Sequence, residues 1–223
     1  MKTLKTNEVR ILTCCWLAFA ASSVAGESGG IGADEALSRL LSGDKRFVAG
    51  KSEEPEGAAL IERRHALAKD QKPFAVILSC SDSRVPPELV FDVSLGDIFV
   101  VRTAGEVVDE VVLGSIEYAI EHLGTHLIVV LGHQRCGAVS AAVSGAKDTG
   151  DIPDVLKAIL PAVEETEGQS GDHIDNAVRA NARDIAKRLQ SSGPIIAPQV
   201  QSGEVKIVAA YYSLDTGQVE LLK

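Results

Sequence analysis

No cluster of lysine and arginine offsets the formal net charge of −9 in this 223-residue chain. A phosphate backbone would meet a repelling surface, so no nucleic acid is expected as a partner. Past residue 25 there is no run of the roughly 20 apolar residues that a membrane helix requires. Internal repeats, low-complexity tracts and a glycine-rich phosphate loop are also missing. Cysteine is scarce: Cys14, Cys15, Cys80 and Cys136 are all there is.

The chain starts with a leader. Lys2, Lys5 and Arg10 precede an almost uncharged apolar run, Ile11 to Ala21, and Ser23-Val24-Ala25 supplies the small residues a signal peptidase accepts. This is the secretory pattern, with an apolar core too short to span a bilayer. Residues 1–25 are therefore expected to be a signal peptide. Residues 26–223 are expected to form one exported domain, in a bacterial periplasm, with no membrane association after cleavage. Cys14 and Cys15 leave with the leader. Two remaining cysteines in an exported protein would ordinarily suggest a disulfide. Here each lies inside a metal-ligand pattern, and structural zinc is worth about 10–16 kcal/mol against about 2–4 for a disulfide.

Periodicity predicts helices over Ala33–Val48, Ile61–Lys69, Glu110–Leu123, Cys136–Val143 and Asp172–Leu189, with Gly124 as a C-cap. The polar stretch Lys51–Gly57 reads as loop, and Glu164–Glu167 as a solvated helix face. Short apolar runs at Phe74–Leu78, Asp97–Val101 and His126–Leu131 match strands covered on both faces. Val205–Tyr212 and Val219–Leu222 read as two final strands joined by an Asp-Thr-Gly turn. The alternation predicts an α/β fold: a mostly parallel central sheet flanked by helices.

Two motifs directly follow buried strands: Cys80-Ser81-Asp82-Ser83-Arg84 and Gly132-His133-Gln134-Arg135-Cys136-Gly137. Ligands of parallel α/β sheets gather at the carboxyl ends of strands. Two strand ends can thus deliver Cys80, His133 and Cys136 to one point. Two thiolates and an imidazole suit zinc and leave a fourth tetrahedral position open. His65, His122, His126 and His173 carry no ligand spacing.

These motifs resemble the beta-class carbonic anhydrases. The similarity runs from about Leu37 to the C-terminus and is densest in FAVILSCSDSRVPPELVFD, GDIFVVRTAG, GSIEYAIEHLG and LIVVLGHQRCGAV. The resemblance implies one Zn²⁺ per subunit on Cys80, His133 and Cys136, with Asp82 and Arg84 as the catalytic pair beside it. It implies that Gln71, Phe99 and Tyr118 line the substrate cleft, and that the cleft forms at a subunit interface of a homodimer or homotetramer. The implied reaction is reversible hydration of carbon dioxide to bicarbonate and a proton. Hydrolysis of carbonyl sulfide or carbon disulfide on the same fold is the alternative. A zinc protein without catalysis is a rival from another class, against which Asp82 and Arg84 argue. Two departures from the family stand out. Ile77 occupies the place of a Trp that some members use in a regulatory bicarbonate pocket, so no such pocket is expected. Glu106 stands where the family usually has Asn.

Overall fold

A computed structural model describes residues 30–54 and 56–223. The expected signal peptide, with Cys14, Cys15 and Trp16, lies outside the described residues.

Five strands form one sheet in the order β2-β1-β3-β4-β5. They are β1 (Ala75–Cys80), β2 (Ile98–Thr103), β3 (Leu127–His133), β4 (Lys206–Tyr212) and β5 (Val219–Leu222). The first four are parallel, and only β5 runs antiparallel, against β4. Every residue of β1 and β3 is buried, which is why both read as unbroken apolar runs.

The pleat divides each run between two cores. Val76, Leu78, Ile128 and Val130 face one side, packing on Val112, Ile116, Ile185 and Leu189. Those partners come from α4 (Glu110–Leu123) and α7 (His173–Gln190). Ala75, Ile77, Leu127, Val129 and Leu131 face the other side, against Leu40 of α1 (Ala33–Val48) and against Val90 and Phe91. Full burial of each such side chain contributes about 1.5–3 kcal/mol. The family-variant position Ile77 is therefore a core residue here.

Helix ends follow local chemistry. Asp109 caps α4 by accepting from the Val112 amide at 2.8 Å, and Gly124 ends it in the left-handed conformation (φ 66°). Asp172 caps α7 in the same way through the Asp175 amide. The expected bounds of α1, α4 and β5 agree with the structure residue for residue. The second helix does not: α2 is Gly57–Ala66 instead of Ile61–Lys69, and none of its residues is buried. Without a buried stripe, there is no apolar period from which to read its start.

Two α-helices have no counterpart in the expected elements, α3 (Pro87–Val90) and α8 (Ile196–Ser202), and of α6 (Ile152–Glu165) only the acidic end was expected. α6 carries an internal Pro161, which breaks the usual helical signal, yet it buries Leu156, Ile159 and Ala162. Glu164 and Glu165 lie in its last turn, but the expected helix face does not reach Glu167: the helix ends at Glu165 and the next residue, Thr166, is buried. Among the described residues, no helix is long and apolar enough to cross a membrane.

Candidate metal centre

Cys80 is the last residue of β1 and His133 the last of β3, so two adjacent parallel strands end side by side. Cys136 follows His133 across a tight turn and precedes α5 (Gly137–Val143). The ligand atoms of all three lie within 4.8 Å of one another, and all three residues are buried. The two sulfurs are 3.9 Å apart.

The turn between the second and third residues is held from outside. Arg135 adopts φ 52°, a left-handed value that costs a non-glycine residue free energy. Its guanidinium pairs with Asp215 at 2.7 Å, and the Gln134 amide donates to the Tyr212 carbonyl at 2.9 Å. Those contacts carry Cys136 back toward Cys80.

The donor set suits a metal. His133 Nδ1 sits 3.0 Å from the Gln134 carbonyl, which can only accept, so Nδ1 carries the hydrogen. The lone pair of the neutral ring is then on Nε2, which is buried with no hydrogen-bond partner. An orphaned imidazole nitrogen beside two thiols is the arrangement of a ligand set. The Cys136 thiol and the amides of Gly105 and Asp82 pull the Cys80 thiol well below its ordinary pKa. Cys80 in turn pushes Cys136 up. The pair favours one thiolate until a cation is present to balance two.

Asp82 and Arg84 form a bidentate pair, Nε to Oδ1 at 2.9 Å and Nη2 to Oδ2 at 2.7 Å. The Arg84 guanidinium holds the Asp82 carboxyl well below the usual carboxylate range. Asp82 Oδ2 lies 3.9 Å from His133 Nε2, and Arg84 Nη2 also donates to the Arg135 carbonyl at 3.2 Å. Cys80, Asp82, Arg84, His133 and Cys136 therefore occupy one place.

Gln71, Phe99 and Tyr118 do not join them within one chain. Phe99 pairs with Val76 in register, and Thr103 with Cys80. That puts Phe99 roughly 13 Å short of Cys80 along parallel strands at ~3.3 Å per residue. The Phe99 and Tyr118 ring centroids are 6.4 Å apart, and Gln71 and Tyr118 line one shallow depression with Leu67 and Leu123. The three residues thus form their own patch near the amino ends of the strands. Tyr118 is 48% exposed there.

Sequence reasoning missed Arg102. Its Nε donates to the Cys80 carbonyl at 2.9 Å and its Nη2 to the Asp82 carbonyl at 2.6 Å, locking the first motif. A lone cation near the end of the otherwise apolar run Ile98–Val101 was the available signal. Asn181 was missed as well. It lies on α7, is buried, and donates to the Gly105 carbonyl at 3.0 Å and to Glu106 Oε1 at 3.2 Å. Glu106 is itself buried, and desolvation raises its pKa to about 8.

With the geometry established, comparison with known proteins is direct. A protein-family model described as carbonic anhydrase matches residues 75–219. Carbonic anhydrase 2 of Mycobacterium tuberculosis is 41% identical over 186 residues, 82% of this chain and 89% of that protein. A carbonic anhydrase of Mycolicibacterium smegmatis is 42% identical over 187 residues, with the same coverage of 82% and 89%. Among solved structures, a Coccomyxa beta-carbonic anhydrase in complex with acetazolamide superposes with a TM-score of 0.66 at 25% identity, covering 83% of this chain and 86% of that one. A tetrameric beta-carbonic anhydrase from Sordaria macrospora shares the fold, with a TM-score of 0.67, 23% identity, and coverage of 84% and 97%.

Proposed function

The chain belongs to the beta-class carbonic anhydrase family, and on that premise we propose that it catalyses the zinc-dependent, reversible hydration of carbon dioxide to bicarbonate and a proton. The observation that carries the zinc assignment is the buried, unpartnered Nε2 of His133 beside the two sulfurs. Cys80, His133 and Cys136 would hold the ion. When bound, zinc supplies the Lewis acidity that makes a water nucleophilic near neutral pH. The general figure is a pKa of about 7 for carbonic anhydrases with histidine ligands, and two thiolates would blunt it by cancelling the ion's charge.

The chain's own residues do the rest. Arg84 keeps Asp82 ionised and fixed in direction. As a pure acceptor beside the triad, Asp82 would accept a hydrogen bond from the attacking oxygen's O–H and so turn the oxygen lone pair toward the carbon. Arg102 holds the backbone beneath both Cys80 and Asp82, so neither drifts as charge develops.

A second copy of the chain supplies what one copy cannot. The patch of Gln71, Phe99 and Tyr118 lies at the opposite strand ends from the triad, and α2 exposes Leu60 and Ile61 with no residue buried. In a homodimer, Gln71 of the partner subunit would donate to the substrate oxygen, and its Phe99 and Tyr118 would keep the pocket apolar for a small nonpolar gas. A homotetramer would be two such dimers. Export to a periplasm rests on the leader, residues 1–25, and N-terminal sequencing of the secreted chain tests it. The named relatives are all carbonic anhydrases, so the sulfur-substrate alternative finds no support among them.

Stopped-flow hydration of carbon dioxide, with zinc measured on the same sample, tests the proposal. Fast hydration that tracks zinc content supports it. Full zinc without hydration between about pH 6.5 and 9, where the activated water should titrate, overturns it.

A further inference from the structure

Asn181 is a polar residue on the buried face of α7, among Ala177, Val178, Ala182 and Ile185. A primary amide in such surroundings is costly unless its hydrogens are used. Both contacts of its Nδ2 go to one short turn, the 3₁₀ segment Ala104–Glu106: to the Gly105 carbonyl and to Glu106 Oε1. The turn needs holding, because Glu106 sits at φ 47°, a left-handed value that is strained for a non-glycine residue.

The same turn touches the metal centre from its other side. The Gly105 amide points at the Cys80 sulfur, N to Sγ 3.3 Å. Gly105 cannot retreat toward the helices. A Cβ on it would stand 2.7 Å from Ile159 Cδ1 and 3.3 Å from Ala138 Cβ. The turn is thus pressed between α5 and α6 on one flank and tied by Asn181 on another.

We propose that Asn181, with the Glu106 carboxyl it holds, is a positioning residue for the metal centre: it keeps the Gly105 amide on Cys80 Sγ and so sets how strongly that sulfur donates to the ion. An amide hydrogen bond draws electron density from a thiolate. The sulfur then cancels less of the metal's charge, and the water activated there loses its proton at lower pH. This offsets part of the penalty of a two-thiolate ligand set. The inference rests on the reading of Cys80 as a zinc ligand.

The test compares wild type, Asn181→Ala, Glu106→Ala and Glu106→Gln as zinc-loaded full chains. Two quantities are read: zinc affinity by chelator competition, and the pH midpoint of carbon dioxide hydration. Asn181→Ala should weaken zinc binding about 10–100-fold, because a loosened turn no longer fixes Cys80 for the ion, and should move the midpoint upward because the sulfur left without the amide cancels more of the metal's charge. Glu106→Ala should shift both in the same direction by less, and Glu106→Gln, which keeps the acceptor oxygen, by less again. A destabilised Asn181→Ala with wild-type zinc affinity and midpoint overturns the inference, since a merely structural residue moves neither. If Asn181→Ala does not fold, Glu106→Ala decides on the same two readouts. Wild-type protein that takes up no zinc overturns the functional reading and this inference together. Active zinc protein with unmoved variants overturns the inference alone.

Discussion

The carboxylate of Asp82 stands 3.9 Å from Nε2 of His133, yet its hydrogen bonds go to Arg84. Nε2 itself has no partner. A direct bond between that carboxylate and the imidazole would require a hydrogen on Nε2, and so consume the lone pair a metal needs. Arg84 prevents this by holding both carboxylate oxygens, which leaves the imidazole free for the ion and the carboxylate free for the water.

Removing any of the three ligands should remove the metal. His133→Ala and Cys136→Ala are expected to fall from about one zinc per chain to near none, with hydration lost in proportion. Elemental analysis beside the rate assay checks this. Chelator-stripped wild type should also melt at a lower temperature, because bound metal stabilises the folded state by mass action.

Asp82→Ala should retain zinc and fold but lose hydration by roughly 10²-fold or more, in the range of a lost proton-handling group. Arg84→Ala should cost less at neutral pH and should raise the acid limb of the pH profile. The sign follows from the pair: Arg84 depresses the Asp82 pKa, so Asp82 stays ionised well below the usual carboxylate range. Without the guanidinium, Asp82 protonates at a higher pH. An unchanged acid limb in Arg84→Ala would refute the pairing argument.

Glu106 should make stability depend on pH. Burial raises its folded-state pKa to about 8, far above the unfolded value near 4.3. Keeping the proton favours folding, so the cost of this residue sets in as pH rises above about 4.3 and is complete above about 8. Glu106→Gln removes the titration. Its gain in melting temperature over wild type, measured on stripped protein, should grow from pH 5 to pH 8. A pH-independent difference would show the carboxyl to be unperturbed.

Two inactive variants should rescue each other if the cleft is shared between subunits. Cys136→Ser keeps the Gln71 patch but lacks the metal set, and Gln71→Ala has the reverse defect. In a mixed dimer one of the two sites is complete. Random mixing should therefore restore about a quarter of wild-type activity, given isologous two-fold pairing. Mixtures no more active than the separate variants would count against a cleft built from two chains.

β1 and β3 were legible from the runs Phe74–Leu78 and His126–Leu131 because burial on both faces leaves an unbroken apolar stretch, whereas β2, read from Asp97–Val101, is an edge strand that is only half-buried along its length in one chain. The gathering of Cys80, Asp82, Arg84, His133 and Cys136 at one place was legible because each motif lies within a few residues of a strand end. α4 was readable to the residue from its apolar period and from Gly124, and the structure adds Asp109 as its N-cap. α6 was not, because Pro161 interrupts its pattern while packing on α5 and α7 stabilises it.

The sequence by itself determined the fold class, the candidate metal-ligand residues and the charged pair, since these depend on residue type and on spacing along single strands and turns. Only the tertiary structure decided that Arg102 holds the first motif and that Asn181 and Glu106 support the turn facing Cys80. It also decided that Gln71, Phe99 and Tyr118 collect at the opposite ends of the strands. Asn181 and Glu106 are 75 positions apart. No local period links positions so distant. They meet because α7 lies across a sheet whose four parallel strands carry their carboxyl ends on the same side.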